Sequence, residues 1–346
     1  MKILVAPQFG IGDALMTTPA LEILKRYRPS WKIDVFTMKK PINDVFKNNP
    51  NIDNLIHYPL LEKNKLSSIL FILRNLTLRY DVTINFFPSN RRDYNIFSFL
   101  TLSKNRIGFR YKNSSFLQFD FLLNKKCEED YNLHCVEENL KLLKLLGIEY
   151  KGDIPKLSIY LTQEEIDKGK EFLKNFGNAV KIGIHTGSSS FKSHKNKRWK
   201  KENFLEVVNY YKDYMFFLFG TEEERQENEF ILKNSIHQNC FIVNNKTIRE
   251  TASIMKNLDL FISNDSGLMH LAAAVNLPVI AIFGPTNPTW VGPWGVKHKI
   301  VRLDLECSPC FVYSPKPLEC KIEEKFKCLN QITPNIVIKA IEEMLL

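Results

Sequence analysis

No stretch of the 346 residues approaches the roughly 20 uncharged apolar residues that a bilayer-spanning helix needs. The opening residues also lack the charged and then apolar blocks of a signal peptide. Residues 1–7 read instead as a strand running into a glycine-bearing loop, so a cytoplasmic location is expected. Glycine and proline number only 14 and 16, and hydrophobic residues make up 44% of the chain, which excludes collagen, disorder and coiled coil. There is no short-period repeat and no low-complexity tract.

What remains is a soluble chain long enough for two domains. Its formal charge is +10, and the distribution is uneven. Residues 1–160 carry 24 Lys and Arg against 16 Asp and Glu, whereas the rest is nearly balanced. A basic first half fits an anionic partner there, such as nucleic acid, an acidic membrane face or a phosphorylated substrate, or else a lysine-rich solvated surface.

Short β-rich runs alternate with amphipathic helical runs, the pattern of layered α/β folds with parallel sheets. In the first half strands are expected at 2–6, 32–37, 54–58, 81–86 and 106–109, and helices at 13–27, 66–78 and 135–146. The periodicity lapses near 150–159, placing a boundary at 155/156. In the second half strands are expected at 180–185, 215–220, 240–243, 260–263 and 279–283, with helices at 201–211, 222–234, 247–257 and 267–276. Two such domains would bind ligands in a cleft at the carboxyl ends of their strands.

Three loops carry candidate chemistry. The first, Phe9-Gly10-Ile11-Gly12-Asp13-Ala14-Leu15, suggests a dinucleotide-binding turn, with Asp34 suitably downstream. The third glycine of that fingerprint is Leu15, however, which removes the close helix–strand contact it requires. Asp13 reads either as a helix N-cap or as a general base. A helix N-terminus stabilises a carboxylate and weakens it as a base, while burial acts the other way. The second loop, Ser263-Asn264-Asp265-Ser266-Gly267-Leu268-Met269-His270, ends a strand and opens a helix, so free backbone N–H groups there form an anion site or merely a capped turn. The third, His185-Thr186-Gly187-Ser188-Ser189-Ser190, precedes a basic stretch in which Lys197 or Arg198 suits a diphosphate, or the loop is simply exposed.

The run from Lys2 through Gly12-Asp13-Ala14-Leu15 to Thr18-Pro19-Ala20-Leu21 resembles the N-terminus of glycosyltransferase family 9, the lipopolysaccharide heptosyltransferases. Residues 263–273 resemble that family's donor-site motif, and Phe283-Gly284-Pro285-Thr286 its sequel. The resemblance implies an α/β fold of GT-B architecture, two Rossmann-like domains facing across a cleft: an acceptor-binding domain at 1–155, a nucleotide-sugar domain with a cysteine-rich tail at 156–333, and a helix at 334–346 packing back toward the first domain. It also implies inverting, metal-independent transfer of a heptose from a nucleotide sugar, usually ADP-heptose, to a phosphorylated lipopolysaccharide core at the inner membrane face. In that reading Asp13 is the catalytic base. Ser188, Lys197, Asp265, Ser266, Gly267 and His270 hold the donor, and Gly10 and Gly12 shape the acceptor turn. Gly187 departs from a common Thr of the family, and the segment 189–196 is longer than the family pattern, which bears on the donor's identity more than on the reaction type.

The chemistry of displacing a nucleoside diphosphate agrees, since it needs a base and positive potential at the departing phosphates. Helix amides with Lys197 and His270 are the expected source of that potential. The chain has no Asp-x-Asp metal clamp. Its Cys307-x2-Cys310-x9-Cys320-x7-Cys328 run, however, reads in a cytoplasmic protein as a structural zinc or iron site, or else as unligated thiols or a disulfide. Cys127, Cys135 and Cys240 read as buried small apolar residues. The alternatives are another sugar nucleotide, an NAD-dependent dehydrogenase, which Leu15 disfavours, or a nucleotide- or RNA-binding module. The last lacks the clustered aromatic and basic face that single strands need, and no nucleic-acid partner is expected.

Overall fold

The alternating pattern closes into two all-parallel sheets. The computed structural model describes every residue except Phe9, 112–115, Ser190 and 313–316, with backbone alone for Phe116, Phe191 and Lys192. The chain divides into two units, Met1–Tyr160 and Leu161–Leu346. Phe9 and Ser190 of the candidate loops therefore lie outside the described residues.

The first unit runs β1 (Lys2–Val5), α1 (Ile11–Tyr27), β2 (Lys32–Thr37), α2 (Lys40–Phe46), β3 (Asn54–His57), α3 (Lys65–Asn75), β4 (Val82–Ile84), α4 (Arg92–Leu100), β5 (Asn105–Arg110), β6 (Lys125–Glu128) and α5 (Cys135–Lys144). Its sheet order is β3-β2-β1-β4-β5-β6. The second runs α6 (Gln163–Leu173), β7 (Lys181–His185), α7 (Lys201–Tyr210), β8 (Met215–Gly220), α8 (Arg225–Asn234), β9 (Cys240–Asn244), α9 (Ile248–Met255), β10 (Leu260–Asn264), α10 (Gly267–Ala274), β11 (Val279–Ile282), α11 (Pro288–Val291), β12 (His298–Val301), α12 (Lys327–Asn330) and α13 (Pro334–Leu345). Its order is β12-β11-β10-β7-β8-β9.

Both sheets are built outward from the middle. The central strands are near-continuous apolar runs because helices cover both faces; Ile3, Leu4 and Val5 of β1 and Leu260, Phe261 and Ile262 of β10 are fully buried. Strand order reverses at β1/β4 in one sheet and at β7/β10 in the other, and loops leaving such a point diverge and leave room for a ligand.

Helix α1 explains the Thr-Pro step of its motif. Pro19 has no N–H to give the carbonyl of Leu15, four residues earlier. The Thr18 hydroxyl donates to that carbonyl instead, at 2.7 Å, and also accepts the Ser158 N–H at 3.0 Å, tying the end of the unit to the helix.

Several elements escaped the sequence pattern. Edge strands β6, Lys-Lys-Cys-Glu, and β12, His-Lys-Ile-Val, lack the buried apolar run of a central strand. Helix α6 is mostly charged and is held by contact: Glu165 closes a capping box on Thr162 and takes two hydrogen bonds from Arg249 of α9, both 2.6 Å. The expected helix at 222–234 is a 3₁₀ turn followed by α8. The unit boundary falls five residues past the expected one. Helix α13 buries Val337, Ile338, Ala340 and Ile341 in the core of the second unit, beside α7 and β12, so its apolar face is spent there.

Gly169 of α6 is where that helix meets α9: an added Cβ would collide with the backbone carbonyl of Ser253. An alanine in a helix ordinarily gains about 1 kcal/mol over glycine. Here overpacking against a rigid backbone costs about 1–3 kcal/mol, so Gly169→Ala should lower the unfolding midpoint in a thermal or urea melt.

Candidate functional site

Gly10 caps α1 in extended conformation, with φ −108° and ψ 150°, so a left-handed turn is not what demands glycine. A Cβ at Gly10 would lie 2.7 Å from Oδ2 of Asp13, and the missing side chain is what admits that carboxylate. Asp13 is thus the third residue of the helix and not its N-cap, which corrects the capping alternative. Gly12 is buried inside the first turn. Asp13 is half-buried, and its charge reaches Tyr94 of α4, whose phenol is pushed well above the usual range by burial first and by Asp13 second. Just before the cap, Gln8 is 1% exposed, and among the described residues both its side-chain amide atoms lack a hydrogen-bond partner. Leaving a buried amide unmade costs free energy, so the group is poised to pair.

In the second unit the loops after β7 and β10 meet at the strand-order reversal. Asn264, the last residue of β10, donates to the carbonyls of Thr186 and Gly187 and accepts the Trp199 N–H, which locks the loops together. Next to it, Nζ of Lys197 lies 2.8 Å from Oδ2 of Asp265, the side chains being 9% and 11% exposed. Burial works against ionisation of Asp265, but the Lys197 ammonium outweighs it and holds the carboxyl below the usual range. The same ammonium sits over the ring of Phe311, 4.2 Å from its centroid.

Helix α10 starts here. Ser266 is its N-cap, accepting the Met269 N–H, and its hydroxyl also shares hydrogen bonds with Ser263 and His185, each at 3.0 Å. The N–H groups of Gly267 and Leu268, the first two helical residues, have no intrahelical acceptor. One turn on, His270 is 4% exposed, and its Nδ1 has no partner. Burial pulls its imidazole down to about 4 against the opposing pull of Asp265, with Lys197 adding to the drop. Burial likewise pushes His185 down to about 3.

The expected donor residues therefore share one neighbourhood but do not act alike. Asp265, Ser266, Gly267, His270 and Lys197 converge. Ser188 is engaged elsewhere: its hydroxyl donates to the His194 carbonyl and accepts from Arg198, which also pairs with Glu224. A Cβ on Gly187 would lie 2.5 Å from that Glu224 side chain, a physical reason for glycine at this position. The positive potential expected from Lys197 and His270 needs correcting. Lys197 is paired with a carboxylate and His270 is held neutral, which leaves the exposed amides and dipole of α10 as the anion-attracting feature.

Phe311 was not legible, because a cation–π partner 114 residues from Lys197 leaves no local pattern. Its segment is fastened to the sequel of the donor motif: the N–H groups of Cys310 and Phe311 both donate to the Pro285 carbonyl, and the Ser308 hydroxyl donates to that of Gly284. Cys307, Cys310, Cys320 and Cys328 are free, and burial and then the other three thiols push Cys328 up to about 11. Among the described residues no three His, Cys, Asp or Glu side chains are arranged to hold a metal ion. The zinc or iron expected there thus has no ready-made ligand set among the described residues.

Two Rossmann-like units, each with a polar loop at its strand-order reversal, define the GT-B class. Residues 74–321 match the model of glycosyltransferase family 9 (heptosyltransferase), and the chain belongs to that family. It is 27% identical over 358 aligned positions to lipooligosaccharide heptosyltransferase 2 of Campylobacter jejuni serotype O:6, covering 99% of both chains. Against a family 9 glycosyl transferase from Veillonella parvula the TM-score is 0.81, with 23% identity and 99% and 96% of the two chains covered. Against ADP-heptose lipopolysaccharide heptosyltransferase II of Escherichia coli it is 0.77, with 21% identity and 100% and 98% covered. Family membership makes the chain a glycosyltransferase and removes the dehydrogenase and RNA-binding alternatives.

His185 and His270 set a pH dependence. Each is neutral when folded but takes up a proton near the ordinary histidine value of 6.5 when unfolded, so stability is complete above that pH and declines as the pH falls from about 6.5 toward 4. Each histidine contributes a slope of about 1.4 kcal/mol per pH unit at most. Urea melts between pH 7.5 and 5 should show this decline, and His270→Gln should remove about half of the histidine slope.

Proposed function

We propose that the chain transfers a heptose from ADP-heptose to an anionic lipopolysaccharide or lipooligosaccharide core acceptor, with inversion at the anomeric carbon and without a metal. The observation that carries this reading is the start of α10, where unpaired amides, the buried and unpartnered Nδ1 of His270 and the Lys197–Asp265 pair stand together. That set suits a diphosphate: the amides and helix dipole take phosphate oxygens, and neutral His270 donates or accepts one hydrogen bond without adding charge. Lys197 changes partner when a phosphate offers a second anion beside Asp265. The absence of an Asp-x-Asp sequence supports metal independence.

In the transfer itself the acceptor oxygen attacks the anomeric carbon from the face opposite the leaving diphosphate. Its proton passes to the Asp13 carboxylate as the new carbon–oxygen bond forms. The bond from that carbon to the phosphate oxygen breaks, and its electron pair leaves with ADP. Stabilising the charge on the departing diphosphate is the work of the α10 amides. Phe311, whose ring lies under the Lys197 ammonium, is a positioning residue in this scheme.

Asp13→Asn should lower kcat by about 10²- to 10⁴-fold while ADP still raises the unfolding midpoint; transfer retained in that variant removes the base role. Among ADP, UDP, GDP and CDP, ADP at about 100 times its dissociation constant should stabilise the fold by about 2.7 kcal/mol, with or without EDTA. A selective shift with UDP or GDP instead keeps the transferase and changes the sugar nucleotide.

A further inference from the structure

Helix α3 has two apolar sides, and the protein uses one of them. At about 100° per residue, Ser68, Phe71 and Ile72 fall toward the sheet. Ile72 is buried with Leu76 in the core of the first unit, Phe71 stacks on Tyr58 with ring centroids 3.8 Å apart, and the Ser68 hydroxyl donates to the Leu60 carbonyl. Leu66, Ile69, Leu70 and Leu73, spaced i, i+3, i+4 and i+7, fall on the opposite side and are 68%, 41%, 39% and 46% exposed. Leu61 ahead of the helix and Leu78 beyond it are also exposed. A surface helix of a soluble protein ordinarily presents polar residues to water on that side.

Between Glu62 and Asp81 the charge along the chain has one sign. Residues 63–80 contain Lys63, Lys65, Arg74 and Arg79 and no Asp or Glu. All four cations are exposed, and among the described residues none is in an ion pair. On the helix, Lys65 and Arg74 fall at the two borders of the aliphatic arc. An aliphatic face edged by cations is the pattern of a helix lying in a bilayer interface, its leucines among the upper acyl chains and its cations at the phosphates. The 11 residues of α3 rise only about 16 Å, roughly half of a bilayer core, so the helix lies on a membrane and does not cross it. A second copy of the chain fits less well, because a two-fold interface through this face would set its cationic borders against each other.

We infer that this face of α3, with Leu61 and Leu78, docks the chain on an anionic phospholipid surface. The inference rests on the proposed reading in one respect, that the acceptor is membrane-borne, and its test reads partitioning and not transfer. Wild-type chain is sedimented with phosphatidylcholine vesicles, either alone or carrying roughly a third phosphatidylglycerol. Binding to the anionic vesicles is expected to exceed binding to the neutral ones by at least about tenfold. A Lys65→Ala, Arg74→Ala variant should lose roughly ten- to thirty-fold in low salt, and that difference should shrink as salt rises. A Leu66→Ser, Leu70→Ser variant should lose at least about tenfold at every salt concentration. Because all four side chains are exposed, both variants should melt like wild type. The inference is overturned if wild-type chain ignores anionic vesicles, if both variants bind as wild type does, or if size-exclusion shows a dimer that the leucine variant converts to monomer.

Discussion

Lys197 and Asp265 hold each other in a place where neither is comfortable alone. Each is roughly nine-tenths buried, so each charge has given up most of its water, and removing one partner from such a pair costs about 3–5 kcal/mol. The surroundings are arranged around keeping the two together. The Phe311 ring also faces the ammonium, and its segment is held by three hydrogen bonds to Gly284 and Pro285. Asn264 fixes the turn from which Asp265 projects. A carboxylate and an ammonium that cancel also leave His270 in a neutral environment, where burial dominates and the ring stays uncharged. The electrostatic offer of the second unit is therefore the start of α10 and a lysine already committed to a carboxylate, not an open cationic pocket.

The two units obey the same geometric rule and use it differently. Both have their strand order reverse beside the first strand of the unit, and in each the loop leaving that reversal enters a helix with short residues in front. In the first unit the approach is kept bare: Gly10 has no side chain because Asp13 occupies its space. In the second the same position is filled by Ser266, whose hydroxyl is saturated by His185, Ser263 and the helix itself. A bare cap leaves a carboxylate accessible to chemistry, and a saturated cap leaves rigid amides for a ligand. That difference suits the base proposed for one unit and the anion cradle proposed for the other.

The sequence was most readable where one residue settles one local question. Buried central strands appear as apolar runs, and every central strand of both sheets was expected within a few residues of where it lies. The loops after β1, β7 and β10 were also legible, because Gly, Ser and Asp between a strand and a helix have few other uses. Two of the four edge strands were not: β3 and β9 were expected, but β6 and β12, each paired on one side only, carry lysine and no buried apolar run. Helix α6 was not, because its fit to α9 depends on Gly169 and Arg249, a contact 84 residues distant for its ion pair. Within the candidate site, which residues gather was legible and how they pair was not. Lys197 reads as an open cation until the 68-residue link to Asp265 is seen. Cys307 and Cys310 show metal-like spacing, but spacing along a chain does not fix where four thiols point.

The basic surplus of the first unit has the same limit, since a count of charges does not say which are available. Lys25, Lys32, Lys40, Lys126 and Lys141 all face a carboxylate on a neighbouring turn or strand. Those pairs consume acids as well as bases, so the surplus must collect where acids are missing, and 63–80 is an 18-residue stretch without one. In that stretch the apolar pattern of α3 is also ambiguous on paper, because Phe71 and Ile72 alone satisfy the need for a buried face and Leu66, Ile69, Leu70 and Leu73 satisfy it equally well. Only exposure decides between them, and it decides for Phe71 and Ile72 as the inner side. The unspent leucines and the unspent cations are then found to be the same surface, which turns a diffuse net charge into a located one.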